Sequence, residues 1–235
     1  SLVWPQAGVV LAILVLYGKK LALGVCIADL LMNLSVGTAP LTALLLAPSS
    51  GLAAYLSVRL LERSGFDPAL KRVQDVMVFL VWGIVASAAI NATISVIALL
   101  VLGELNGADH FRVWFTWALG DAMGIAVVTP ALLFWLRQRI SLPTQRQLLE
   151  IGMLLVLFVL VASLVFNEGF SPSSYPLAYL MFPFLIWSAF RFSQRIVTTL
   201  TFVLSMITVL ATFQELNVMA RGEMWNNRLF LWTYM

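Results

Sequence analysis

From Phe111 to Leu136 the chain is almost wholly apolar, and past Arg112 the run is interrupted only at Gly120-Asp121-Ala122-Met123-Gly124. As a helix rising about 1.5 Å per residue it is roughly 39 Å long, enough to cross a hydrocarbon layer of about 30 Å with some tilt. Asp121 lies about nine residues past Arg112, which puts its carboxyl about 13–14 Å deep. A carboxylate at that depth costs about 2.5–3.5 kcal/mol on insertion scales. Asp121 must therefore face protein, water or a ligand rather than lipid, and any fold has to turn this part of the helix inward.

The same apolar character recurs along all 235 residues, which are 61% hydrophobic and 11% charged, with mean hydropathy +0.96. Soluble domains carry about 25% charged residues, so a soluble core with one anchor is excluded. The class is all-α, a polytopic transmembrane helical bundle forming one membrane domain over residues 1–235. The single cysteine, Cys26, excludes an internal disulfide and a thiolate metal site, and reads as a small buried hydrophobe. His110, beside Asp109, is the only histidine and gives no metal set and little support for haem. No phosphate-binding loop is visible, and no nucleic-acid partner is expected. Both ends interrupt apolar segments, so the chain is expected to be a fragment. Val3 to Tyr17 lacks a basic leader and a cleavage site and reads as a membrane helix, not a signal peptide.

Hydropathy and breakers predict helices over Pro5–Tyr17, Leu21–Leu34, Leu41–Leu60, Arg72–Leu102, Phe111–Leu136, Leu148–Phe166, Pro176–Phe190 and Ile196–Phe213. That makes about eight complete spans, with the start of a ninth near Trp225. The first, second and seventh are short for a bilayer and are expected to be half-buried or to line a cavity. Counting alternate connections, one set holds Lys19, Lys20, Arg59, Arg63, Lys71, Arg72, Arg137, Arg139, Arg146, Arg191 and Arg195 of the 14 basic residues. The other set holds only Arg112, Arg221 and Arg228. The positive-inside rule places the first set in the cytoplasm, so the chain enters from outside at Trp4-Pro5.

Trp4-Pro5-Gln6-Ala7-Gly8 resembles the Trp-Pro-x-x-Gly opening of the membrane-associated sensor domains called MASE, type one. Trp117-Ala118-Leu119-Gly120-Asp121-Ala122-Met123-Gly124 with Pro130 is similar to that family's Trp-x-x-Gly-Asp-x-x-Gly block and its following proline. Phe182-Pro183-Phe184-Leu185-Ile186-Trp187 with Arg191-Phe192 resembles its third marker. The sequence departs at Ser50-Gly51-Leu52-Ala53, where the family carries a more polar stretch with an acid, and it lacks the family's extra amino-terminal helix. The resemblance implies a multi-pass sensory input of bacterial inner (cytoplasmic) membranes, itself not an enzyme and without a cofactor. Such inputs regulate cytoplasmic diguanylate cyclases or histidine kinases. A cyclase output would bring GTP and magnesium, and a homodimer follows from the same resemblance.

Asp29 lies about nine residues past Lys20, so it reaches about the same depth as Asp121 from the opposite face. Two such acids can share a proton, bind a cation or accept donors from a small-molecule ligand; alternatively each only ties helices together. Asn33, an i+4 neighbour of Asp29, and Asn91 extend this set to a polar cavity, with interhelical glue as the plainer role for Asn91. Asp121 is expected to face the interior near Asp29 or Asn33. Trp4, Trp114 and Trp117 are candidates for the cavity mouth, Trp117 because it precedes Asp121 by one helical turn; interface anchoring explains Trp114 equally well. Gly120 and Gly124 have the small-xxx-small spacing of close helix packing, and Pro130 is a candidate kink. Arg191 and Arg195 read as part of the basic rim. These features suit a sensory input; the alternative is a secondary transporter or channel using the midplane acids as a proton or ion site. An intramembrane enzyme would need a nucleophile–base pair or metal ligands that the sequence does not offer.

Overall fold

The computed structural model describes residues 3–105, 108–137, 144–166, 181–206 and 209. Every regular element among them is helical. The described residues divide into two compact units, one up to Leu136 and one from Arg137 onward.

In the first unit α1 spans Pro5–Tyr17, α2 Ala22–Ser35, α3 Pro40–Arg63, α4 Val73–Val101 and α5 His110–Arg137. Proline opens α1 and α3, where its missing N–H would be unpaired in any case. At the far end of α1, Gly18 takes φ +103°, and a 3-10 turn over Lys19–Leu21 leads into α2. Asp75 fixes the start of α4, accepting from the Arg72 backbone N–H and from its guanidinium at 2.8 and 3.0 Å. That carboxylate raises the Arg72 pKa further above its usual range. Within α4, Phe79–Val85 forms a π-helical segment, the kind of local widening often found beside functional sites.

Two sets of contacts define the ends of this unit. At the basic end Lys19 pairs with Glu62 at 2.6 Å, and the α3–α4 turn tucks Phe66 against Phe79 and buries Leu70. At the opposite end Thr42 hydrogen-bonds Glu104, and the Trp114 indole donates to Thr93 at 2.9 Å. Between them, Val10, Leu11 and Leu14 of α1 pack with Ala54 and Val58 of α3, Phe79 of α4, and Ile125, Leu133 and Phe134 of α5. Among the described residues α3, α4 and α5 are long and apolar enough to cross a membrane.

Of the short helices, α1 is buried as its length suggested: Leu11, Ala12 and Leu14 are fully enclosed. α2 is not. It turns Leu23, Ile27 and Leu31 outward and buries only Asp29. Lipid tails solvate leucine as well as a protein interior does, so the group that must be sheltered is the carboxylate.

In the second unit α6 spans Gln145–Phe166, α7 Met181–Arg191, and residues 194–206 form α8. Leu154, Phe192 and Leu200 make a small core. Arg191 is more than a rim charge: its guanidinium grips Glu150 of α6 at 2.7 and 2.8 Å. The predicted start of the seventh helix, the end of the eighth beyond 206 and the ninth near Trp225 lie outside the described residues.

Candidate functional site

The site begins with a seam between α1 and α5. The Trp4 backbone N–H donates to the Gly120 carbonyl at 2.9 Å, and the Thr129 hydroxyl donates to the Gly8 carbonyl at 2.9 Å. A Cβ on Gly124 would fall 1.9 Å from the Trp4 carbonyl oxygen, and one on Gly8 2.4 Å from the Gly124 carbonyl oxygen. Only glycine permits this approach. The two segments similar to family motifs, Trp4–Gly8 and Trp117–Gly124, therefore lie against each other, and the register they set turns Asp121 into the bundle. α5 runs unbroken through Pro130.

Asp121 is 5% exposed and accepts from the Asn91 amide of α4 at 2.6 Å through Oδ2. Its described partner is thus Asn91, on the neighbouring long helix, rather than Asn33. Asn33 is spent locally, donating to the Asp29 carbonyl one turn back on its own helix. Asp29 is 7% exposed and has both carboxylate oxygens engaged: Gln6 of α1 donates to Oδ1 at 2.5 Å, and the Ser50 hydroxyl of α3 donates to Oδ2.

Ser50 also connects the two acids. With Ser87, Asn91 and Asp121 it lines a small crevice walled by Ala7, Val10, Ala53, Ala54 and Ile125. The space open to the centre of a water-sized particle is about 10 Å³, room for a single water. The Asn91 Oδ1 is buried there without a hydrogen-bond partner among the described residues. Of the residues expected to form a polar cavity only Asn91 and Asp121 line this crevice, which is far smaller than a small-molecule pocket; Asp29, Asn33, Trp4 and Trp117 do not line it. Trp4 and Trp117 keep 41% and 37% of their surface exposed. The cause is the level of α1: Trp4 meets α5 at Gly120, about 15 Å below the His110 end of that helix. Cys26 packs its sulfur against Gly51, where α2 and α3 approach closely.

Gln6, Ser50 and Ser87 complete the polar set and were not singled out from the sequence. Gln6 stands inside the Trp-Pro motif and Ser50 opens the stretch where the chain departs from the family, so both carried a signal. Ser87 carried none: a serine in an alanine-rich membrane helix ordinarily bonds its own backbone.

A helical membrane bundle with buried acids at helix–helix contacts defines a class, and the sequence comparison narrows it. The MASE1 model matches residues 1–223, so the chain belongs to the MASE1 family, whose members are membrane sensory input domains and not catalytic. No curated protein and no solved structure matches the chain.

Proposed function

We propose that this domain is the multi-pass input of a bacterial inner-membrane signalling protein. Its spans number about eight with the start of a ninth, its basic connections face the cytoplasm, and it controls a diguanylate cyclase that uses GTP and magnesium, as a homodimer. The observation that carries the reading is Asp121: a carboxylate enclosed in a domain of a sensory family, with one described donor, bonded through one oxygen and lining a crevice. A packing acid gains by having both oxygens engaged; an acid that answers a cue needs one available. Asp121 and Asn91 form the responding pair, Asp29 and Ser50 hold its neighbour helix, and the Trp4–Gly120 and Gly8–Gly124 seam transmits movement of α1 to α5.

The test is cyclic di-GMP in cells producing the full-length parent with Asp121→Asn or Asp121→Ala. The reading expects normal membrane insertion and a changed response of the output. Two variants that fold and signal like the parent remove Asp121 from the site, and two that abolish expression assign it to structure. Radiolabelled phosphotransfer with an unchanged nucleotide level would replace the cyclase by a histidine kinase. Orientation is read with an impermeant thiol reagent on Arg139→Cys and Asp109→Cys in a Cys26→Ser background: only the second should label from outside.

A further inference from the structure

The free atoms around the crevice are mostly acceptors, the Ser87 hydroxyl being able to donate as well. Asn91 spends its amide hydrogens on Asp121, which leaves its buried Oδ1 unpartnered. The amide cannot be flipped to cure this, because its oxygen would then meet the Asp121 carboxylate. Ser50 gives its proton to Asp29, so its oxygen can offer the crevice only lone pairs. Asp121 has Oδ2 occupied and Oδ1 open. Ser87, 5% exposed, adds a fourth oxygen. No lysine, arginine or histidine lines the space. A cluster of oxygens that carries a negative charge, with the Ser87 hydroxyl as its one proton donor, suits an electropositive occupant, and the small volume limits it to one atom-sized particle.

From this geometry we infer that the Ser50–Ser87–Asn91–Asp121 crevice binds one dehydrated monovalent cation of the size of sodium. The charge fits: a single carboxylate with neutral oxygens neutralises one positive charge. A divalent ion fits poorly. Calcium takes about six to eight oxygens, magnesium keeps several waters, and both favour more than one carboxylate. Among the described residues no three His, Cys, Asp or Glu side chains gather to hold such an ion. Bound between α3, α4 and α5, the cation would draw Asn91 and Asp121 together with Ser50 and tighten the bundle around α1. The inference deepens the sensory reading by naming the class of cue, and rests on that reading only for the cue's meaning.

The experiment is thermal unfolding of the chain in nanodiscs, titrated with sodium chloride against choline chloride at constant ionic strength, with lithium and potassium as size probes. The expected result is a rise in Tm that sets in near the dissociation constant and continues by a few degrees for each further tenfold of sodium, with a smaller rise for potassium. Asp121→Asn should abolish it. Should that variant fail to fold, Ser87→Val fills the crevice, leaves the Asn91–Asp121 bond intact and should abolish it too. Ser57→Ala, which alters a buried hydroxyl that does not line the crevice, should keep it. Equal Tm in sodium, lithium, potassium and choline overturns the proposal in favour of a resident water. So does a sodium effect that survives both Asp121→Asn and Ser87→Val. Because binding is read without an output module, sodium binding with no effect on cyclic di-GMP sinks the sensory reading and leaves the site. A changed cyclic di-GMP response of Asp121→Asn with no sodium effect on Tm does the reverse.

Discussion

Asp29 and Asp121 are two buried acids of one bundle, and they are treated in opposite ways. Asp29 is held at both oxygens by donors from two other helices, Gln6 on α1 and Ser50 on α3. Asp121 has one described donor, Asn91, and the two line a crevice in which the Asn91 side-chain oxygen has no partner among the described residues. A fully satisfied buried network rigidifies, whereas a partly satisfied one is at risk unless something fills it. The first acid thus joins three helices, and the second is left with capacity to bind. Residue spacing, which puts both at about the same expected depth, does not distinguish them.

The largest way to break this contrast is to break the seam that supports both acids. α1 carries Gln6 to Asp29, and its contact with α5 sets the level of Asp121. Gly124→Ala puts a methyl into the Trp4 carbonyl, a backbone atom that cannot swing aside. The expected loss is about 3 kcal/mol or more, the upper end of overpacking. Reversible unfolding in nanodiscs measures it, with Gly24→Ala as a control, since a Cβ there meets nothing within 4 Å.

The contrast itself is tested by making the same change at both acids. Asp29→Asn removes the charge that strengthens both hydrogen bonds and obliges Gln6 or Ser50 to turn round and accept, so it should lose about 1–3 kcal/mol. Asp121→Asn keeps an oxygen for Asn91 and points its NH2 into a crevice of acceptors, so in choline buffer it should lie within about 0.5 kcal/mol of the parent. Equal losses at the two positions would erase the distinction.

Removing the donor sharpens it further. Asn91→Ala strips Asp121 of its described hydrogen bond and should cost about 1–2 kcal/mol. In an Asp121→Asn background the same change should cost about 1 kcal/mol less, because no charge is then stranded. A coupling near zero would mean that the two side chains do not act as a pair.

Much of this was legible in the residues. The first five helices fall within a few residues of their predicted bounds, because Pro5, Gly18, Pro40 and the Gly65–Pro68 turn are strong punctuation in an apolar chain. The inward direction of Asp121 followed from the cost of a charge in lipid. The partners did not follow, because hydropathy ranks depth and says nothing of which helices are neighbours. Nor did the sequence reveal that α1 starts level with Gly120. Trp117 stays outside the crevice although it lies one turn from Asp121. α2, expected to be half-buried or to line a cavity, buries only Asp29 and turns Leu23, Ile27 and Leu31 outward.

The smallest expected effect is at Asn33, and it tests how far spacing on a helix can stand in for contact. Asn33 shares a face with Asp29, and that spacing made it a candidate for the polar set. Its amide instead donates to the Asp29 main-chain carbonyl at 2.9 Å, a bond an asparagine makes with its own helix four residues back. That carbonyl already serves the helix ladder, so the extra donor adds little, and no side chain of the crevice depends on it. Asn33→Ala should change stability by no more than about 0.5 kcal/mol, within the average for a polar contact in a membrane bundle. It should also leave the cyclic di-GMP response and the sodium titration as in the parent. A loss matching that of Asn91→Ala would mean that Asn33 reaches the site after all, through a rotamer that leaves its own backbone, and would return Asp29 and Asp121 to a single shared cavity.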